Sequence, residues 1–283
     1  MHVIKWRKKT RGELALHIGQ IIGIMPLWLV FAAALGLNLI SIRLGMLFAH
    51  NRRTRANMEG DSTIDAMVGA TVGLLAFIVA FAFGATTDRF AERTNLLLQE
   101  VNAIETSYLR AGLVPEPHRS EVRKMLMEYV SLRVMPFESV EKTIVLIRKS
   151  EELQNKMWSH AEALAAANLQ NADIVSLFVD ALNRMFELQT DRVSNAMERH
   201  IQPAIWIMLI SLFTVSSVAL GYLIGMAPST KKHWLPVWTL AMGFSCVILL
   251  IANYDREIGN PNLIHVNQRP MIELQLRLER RAK

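Results

Sequence analysis

The stretch Asp65–Arg110, DAMVGATVGLLAFIVAFAFGATTDRFAERTNLLLQEVNAIETSYLR, decides the fold. Its first half, Ala66 to Thr87, carries no charge. That is about 22 residues, or roughly 33 Å of helix, enough to cross a bilayer core of about 30 Å. Charge returns abruptly at Asp88-Arg89, with no proline and no turn cluster between the halves. The pattern predicts one helix that leaves a membrane and continues into water. In its second half Leu97, Val101, Ile104 and Tyr108 recur at spacings of 4, 3 and 4, which is one face of a helix.

The rest of the chain is divided in the same way. Its 283 residues are 52% hydrophobic and 20% charged, with a mean hydropathy of +0.24, so apolar and charged residues must be segregated. Uncharged runs span Leu14–Ile42, Ala66–Thr87, Ile201–Thr230 and Trp234–Tyr254. Each is long enough for a crossing helix. The first run is too long for the apolar part of a signal peptide and no small-residue cleavage site follows it. Pro26 divides it into an interfacial turn over 14–24 and a crossing from Pro26 to Phe48.

The expected fold class is an all-α membrane protein. It has four transmembrane helices and a cytoplasmic helical stalk inserted between the second and third. The segments are a basic interfacial region at 1–25, two membrane helices in 26–87, the stalk at 88–200, two membrane helices in 201–254 and a tail at 255–283. Within the stalk, Pro115, Pro117 and Pro136 punctuate the chain. Helices are predicted over His118–Val134, Ser139–Asn168 and Ala172–His200. Val122, Met125, Tyr129 and Leu132 form the stripe of the first, and Ile174, Phe178, Ala181, Met185 and Leu188 that of the last. No sustained alternation and no Asn-Gly or Asp-Gly turn marks a strand. The tail, broken by Pro261 and Pro270, is expected to strap along the stalk or a neighbouring subunit.

Charge sets the expected orientation. The formal net charge of +6 suits basic residues gathered at cytoplasmic helix ends better than a nucleic-acid surface. Lys5, Arg7, Lys8, Lys9 and Arg11 at one end, and Arg269, Arg277, Arg280, Arg281 and Lys283 at the other, place both termini in the cytoplasm. The localisation that follows is a membrane, crossed several times, with the chain in contact with membrane lipids. The single cysteine, Cys246, excludes an intrachain disulfide.

Chemistry is sparse. The eight histidines show no ligand spacing, and no nucleophile elbow, phosphate loop or dinucleotide fingerprint occurs. An enzyme, a cofactor and a metal are therefore not expected. The second apolar run carries the distinctive constellation. Gly69, Gly73, Ala76, Ala80 and Gly84 fall on one face, where small residues allow close helix approach in lipid. Phe77 and Phe81 stand beside that face, one turn apart. In a ring of copies the two phenylalanines would form a narrow apolar neck, able to gate by dewetting. The positive ring edges would suit anions. The alternative is that the small face packs within its own subunit and the phenylalanines meet lipid.

The run GLLAFIVAFAFGATTDRFAERTNLLLQEVNAIETSYLRAGLVPEPHRSEVRKMLMEYVSLRV resembles the core of the bacterial bestrophin-like domain proteins. The features are Asp88-Arg89-Phe90, Arg93, Glu100 to Ile104, Tyr108 to Arg110 and an Arg-rich helix after a proline break. The tail NYDREIGNPNLIHVNQRP is similar to that family's, without its proline after Arg256. The similarity extends more distantly to bestrophins, pentameric anion channels whose second membrane helix lines the pore. It implies a homo-oligomer, a pentamer, in the plasma membrane of a bacterium, passing a permeant anion such as chloride. Gly73, Phe77 and Phe81 then form the constriction, and Asp88, Arg89 and Arg93 stand at the cytoplasmic exit, with Arg93 and Asn95 toward a vestibule. Ala82 replaces an expected arginine, Thr86-Thr87 replace an aromatic, and no acidic calcium-binding run is present. The rival reading is a non-conducting membrane scaffold or sensor whose stalk binds a cytoplasmic partner.

Overall fold

A computed structural model describes residues 25–53, 62–134, 140–167, 172–198, 202–226, 234–256 and 266–282. The interfacial turn expected at 14–24, the N-terminal basic cluster and the loop between the last two apolar runs lie outside these. Among the described residues the elements are α1 (Leu27–Arg53), α2 (Ser62–Ala111), α3 (His118–Val134), α4 (Val140–Ala166), α5 (Ala172–Glu198), α6 (Pro203–Met226), α7 (Trp234–Asp255) and α8 (Arg269–Ala282). No strand occurs among them. Four of these helices, α1, α2, α6 and α7, are long and apolar enough to cross a membrane.

The chain forms two compact units. The first contains α1, the part of α2 up to Asp88, α6 and α7; the second contains α2 from Arg89, α3, α4, α5 and α8. The 50-residue α2 is continuous and supplies residues to both.

In the first unit, small residues decide how helices meet. A Cβ added to Gly221 of α6 would lie 2.1 Å from the Ile42 carbonyl oxygen of α1. One added to Gly45 would lie 2.0 Å from the Val218 carbonyl oxygen. Gly225 and Ala49 continue the same seam one turn on. The helices α1 and α6 are thus in backbone contact, which apolar surroundings favour because packing rather than water exclusion drives association there. Buried hydroxyls are satisfied locally. Ser41, Ser217 and Ser245 each donate to the carbonyl four residues back, at 2.7 Å. That removes the cost of an unpaired polar group in an apolar interior. Ala82 of α2 joins Val30, Trp206, Leu209, Ile248 and Ile251 in one core cluster. The Trp206 indole N–H donates to Asp255 at 3.4 Å.

The second unit is a helical bundle with its own core. Leu97, Ile104 and Tyr108 of α2 pack with Leu126 and Tyr129 of α3, Met157 of α4, and Phe178 and Met185 of α5. The stripes expected from spacing are the faces that pack here, although Leu132 and Ile174 are only partly buried. The tail closes on this same chain: Met271, Leu274 and Leu278 of α8 are buried in the core. Arg277 and Arg281 pair with Glu105 of α2 at 3.2 and 3.1 Å.

A buried ionic group sits inside this bundle. Glu100 receives Arg133 in a forked pair at 2.7 and 3.2 Å and Arg192 at 2.6 Å. The second nitrogen of Arg192 reaches Gln268, just before α8, at 3.2 Å. Sequence spacing alone reads Glu100 as one of several solvated or salt-bridged carboxylates on a stalk; the fold pairs it and buries it completely. Tyr129 donates to Gln189 at 2.7 Å and lies 3.3 Å from Glu100. Burial, and then the neighbouring Glu100 charge, raise the Tyr129 phenol well above its usual range, so it keeps its proton and acts as a donor. Burial works to lower Arg133, but the Glu100 carboxylate outweighs it and holds the guanidinium above its ordinary value.

Candidate pore-lining helix

Two faces of α2 have opposite character. Val68, Leu75, Ala82 and Thr86 are buried against the protomer's own first unit, at spacings of 7, 7 and 4. On the other side Phe77 is 67% and Phe81 60% exposed. Both are large apolar side chains with no place in the protomer's core.

The small residues share that outward side. Gly69, Gly73, Ala76 and Ala80 are exposed and Gly84 is partly so. A Cβ placed on Gly69, Gly73 or Gly84 would meet nothing within 4 Å. The small face therefore does not pack within its own subunit, which removes the first half of the alternative raised by the sequence. The intrachain close packing is made by Gly45, Gly221 and Gly225 instead. A signal for it was present in the sequence: Gly221 and Gly225 form a literal Gly-x-x-x-Gly, with Ser217 one turn before.

Charge is distributed unevenly around α2. Asp88 is exposed. It lies 11 residues after Phe77, which returns it to within about 20° of the same helix face. Arg89 is partly buried and Arg93 is only 3% exposed. Arg93 shares the inward face with Leu97 and Glu100, whereas Asn95 is exposed. Of the two residues expected toward a vestibule, Asn95 alone presents its side chain away from the protomer's core. Arg93 turns inward because of its position: four residues before Leu97 places it on the buried stripe.

Among the described residues no group of three or more His, Cys, Asp or Glu side chains is arranged to hold a metal. The outward face of α2 offers an apolar packing surface, and among the described residues no group of acid, base or nucleophile is assembled on it.

Residues 31–261 match the model of the Bestrophin-like domain. Among solved structures, one described as a membrane protein carrying a proline-to-alanine substitution is 14% identical, with a TM-score of 0.63 over 90% of this chain and 96% of that one. A leucine-to-threonine variant of a bacterial bestrophin homologue from Klebsiella pneumoniae is 13% identical, with a TM-score of 0.60 over 90% and 96%. An isoleucine-to-threonine variant of the same homologue gives 0.56 at 13% identity over 90% and 98%. At these identities the likeness is one of fold. No curated protein matches the sequence significantly.

Proposed function

The chain belongs to the Bestrophin-like family, and from that footing we propose that it is an oligomeric ion channel of a bacterial plasma membrane. Copies of α2 surround a central path and the termini lie in the cytoplasm. The observation that carries this reading is the outward face of α2, where two large phenylalanines and a row of open glycines find no partner in the protomer's core. In a ring, a pentamer by resemblance to bestrophins, the glycines and alanines let neighbouring helices approach. Phe77 and Phe81 then project inward as two apolar rings. Such a neck conducts when wetted and closes when dry.

Anions such as chloride are the permeant species this reading names. Support comes from the likeness to bestrophins and from the positive edges of the phenylalanine rings. Asp88 opposes it, since a carboxylate on the same face repels anions just past the neck. The cytoplasmic exit would comprise Asp88 and Arg89, with Arg93 holding the helix to the stalk core.

A scaffold or sensor is the second reading, favoured by exposed Leu109, Leu113 and Leu177 on the second unit. Anion flux into liposomes separates the two. Wild-type protein is compared with a Phe77→Ala, Phe81→Ala double variant of unchanged assembly. Flux that rises in the variant supports the channel, and its absence from both, in inserted and folded protein, supports the scaffold.

A further inference from the structure

His118 opens α3 and His160 lies near the end of α4, 42 residues away. Their Nδ1 atoms are 2.9 Å apart. The rings stand edge to face, with centroids 5.1 Å apart at 82°. Both side chains are partly buried, so each also reaches solvent. The channel reading uses neither.

Two imidazole nitrogens at this distance share one proton: one carries N–H and the other offers its lone pair. No other hydrogen bond to either ring is made among the described residues. The tautomers are therefore not locked by a third group. If the shared proton moves to Nε2 of its own ring, both Nδ1 lone pairs become available to a ligand after a small ring rotation, and no proton leaves the protein.

We propose that His118 and His160 form a two-imidazole site for a first-row dication, copper(II) or nickel(II), which clips the start of α3 to α4. Metal–nitrogen bonds run about 2.0–2.1 Å, so an ion equidistant from nitrogens 2.9 Å apart subtends about 90°. That is the angle between adjacent ligands of a tetragonal site, the arrangement copper(II) and nickel(II) favour with nitrogen donors. Imidazole is a poor ligand for calcium or magnesium, which select oxygen. No third protein ligand is grouped with the pair among the described residues, and the partial exposure of both rings leaves the other positions to water.

The test uses the full chain in detergent, stripped with a chelator and titrated with copper(II) chloride, with magnesium chloride as control. Wild-type protein is expected to bind copper(II) at this site with an electron paramagnetic resonance spectrum showing coupling to two imidazole nitrogens. The unfolding temperature should rise as the site fills, since binding to the folded state alone stabilises it. His118→Asn and His160→Gln, each first shown to keep wild-type helicity, should weaken the site at least tenfold and reduce the coupling to one nitrogen. A wild-type spectrum without two-imidazole coupling overturns the proposal. So does a stoichiometry and spectrum unchanged in either folded variant, which would leave the pair a hydrogen-bonded contact.

Discussion

Glu100 and Arg192 meet at 2.6 Å across 92 residues of sequence, deep in the helical bundle. Arg133 completes the group from a third helix. The second unit therefore buries a charge cluster drawn from three helices within its apolar core. Truncating one member of such a cluster leaves the others charged, buried and unbalanced. Glu100→Gln is expected to lower stability by about 3–5 kcal/mol. Thermal loss of helical ellipticity would measure it. Replacing Glu100, Arg133 and Arg192 together with apolar residues should cost much less than Glu100→Gln alone, because no orphan charge remains. Equal losses would show that the cluster does not act as a unit.

The two sets of glycines should respond oppositely to a methyl group. Gly221→Ala drives its Cβ to 2.1 Å from a backbone oxygen of α1, so about 1–3 kcal/mol or more of protomer stability should be lost through overpacking. Gly73→Ala meets open space and should stabilise α2 by roughly 0.5–1 kcal/mol through helix propensity. If α2 packs against its neighbours, Gly73→Leu should lower the oligomer mass seen by light scattering while leaving the protomer folded. A Gly73→Leu protein with wild-type mass would place the glycine face away from the seam between subunits.

Asp88 is the exposed charge nearest the phenylalanine face. In an α2-lined path its carboxylate would repel anions. Asp88→Asn is expected to raise the anion-to-cation permeability ratio several-fold, read from the shift in reversal potential under a salt gradient. An unchanged ratio in a conducting variant would put Asp88 away from the path.

The tail is bound by an apolar stripe with ion pairs at its margin. Leu274→Ala empties a fully buried position and should cost about 2–5 kcal/mol of tail docking. Limited proteolysis would then release the tail sooner than in wild type. Glu105→Gln removes the partner of Arg277 and Arg281, which are partly exposed. It should accelerate release far less, since pairs open to solvent contribute about 0–1 kcal/mol.

Local pattern was enough for much of this architecture. Charge-free runs long enough for a bilayer marked the helices α1, α2, α6 and α7, because an apolar span and its length are properties of contiguous residues. Prolines at 115 and 117 marked a break for the same reason: they act on the backbone where they stand. The stripe from Leu97 to Tyr108 identified a buried face, since helical periodicity projects neighbours in sequence onto one side. Tertiary structure decided what each face meets. The small residues of α2 could pack inside the subunit or outside it, and only the tertiary structure shows open space around Gly69, Gly73 and Gly84 within the protomer. Whether Glu100 was solvated or salt-bridged stayed open in the sequence because its partners lie 33 and 92 residues away. Pairing at that distance depends on which helices the core brings together, and periodicity along a single helix carries no information about it.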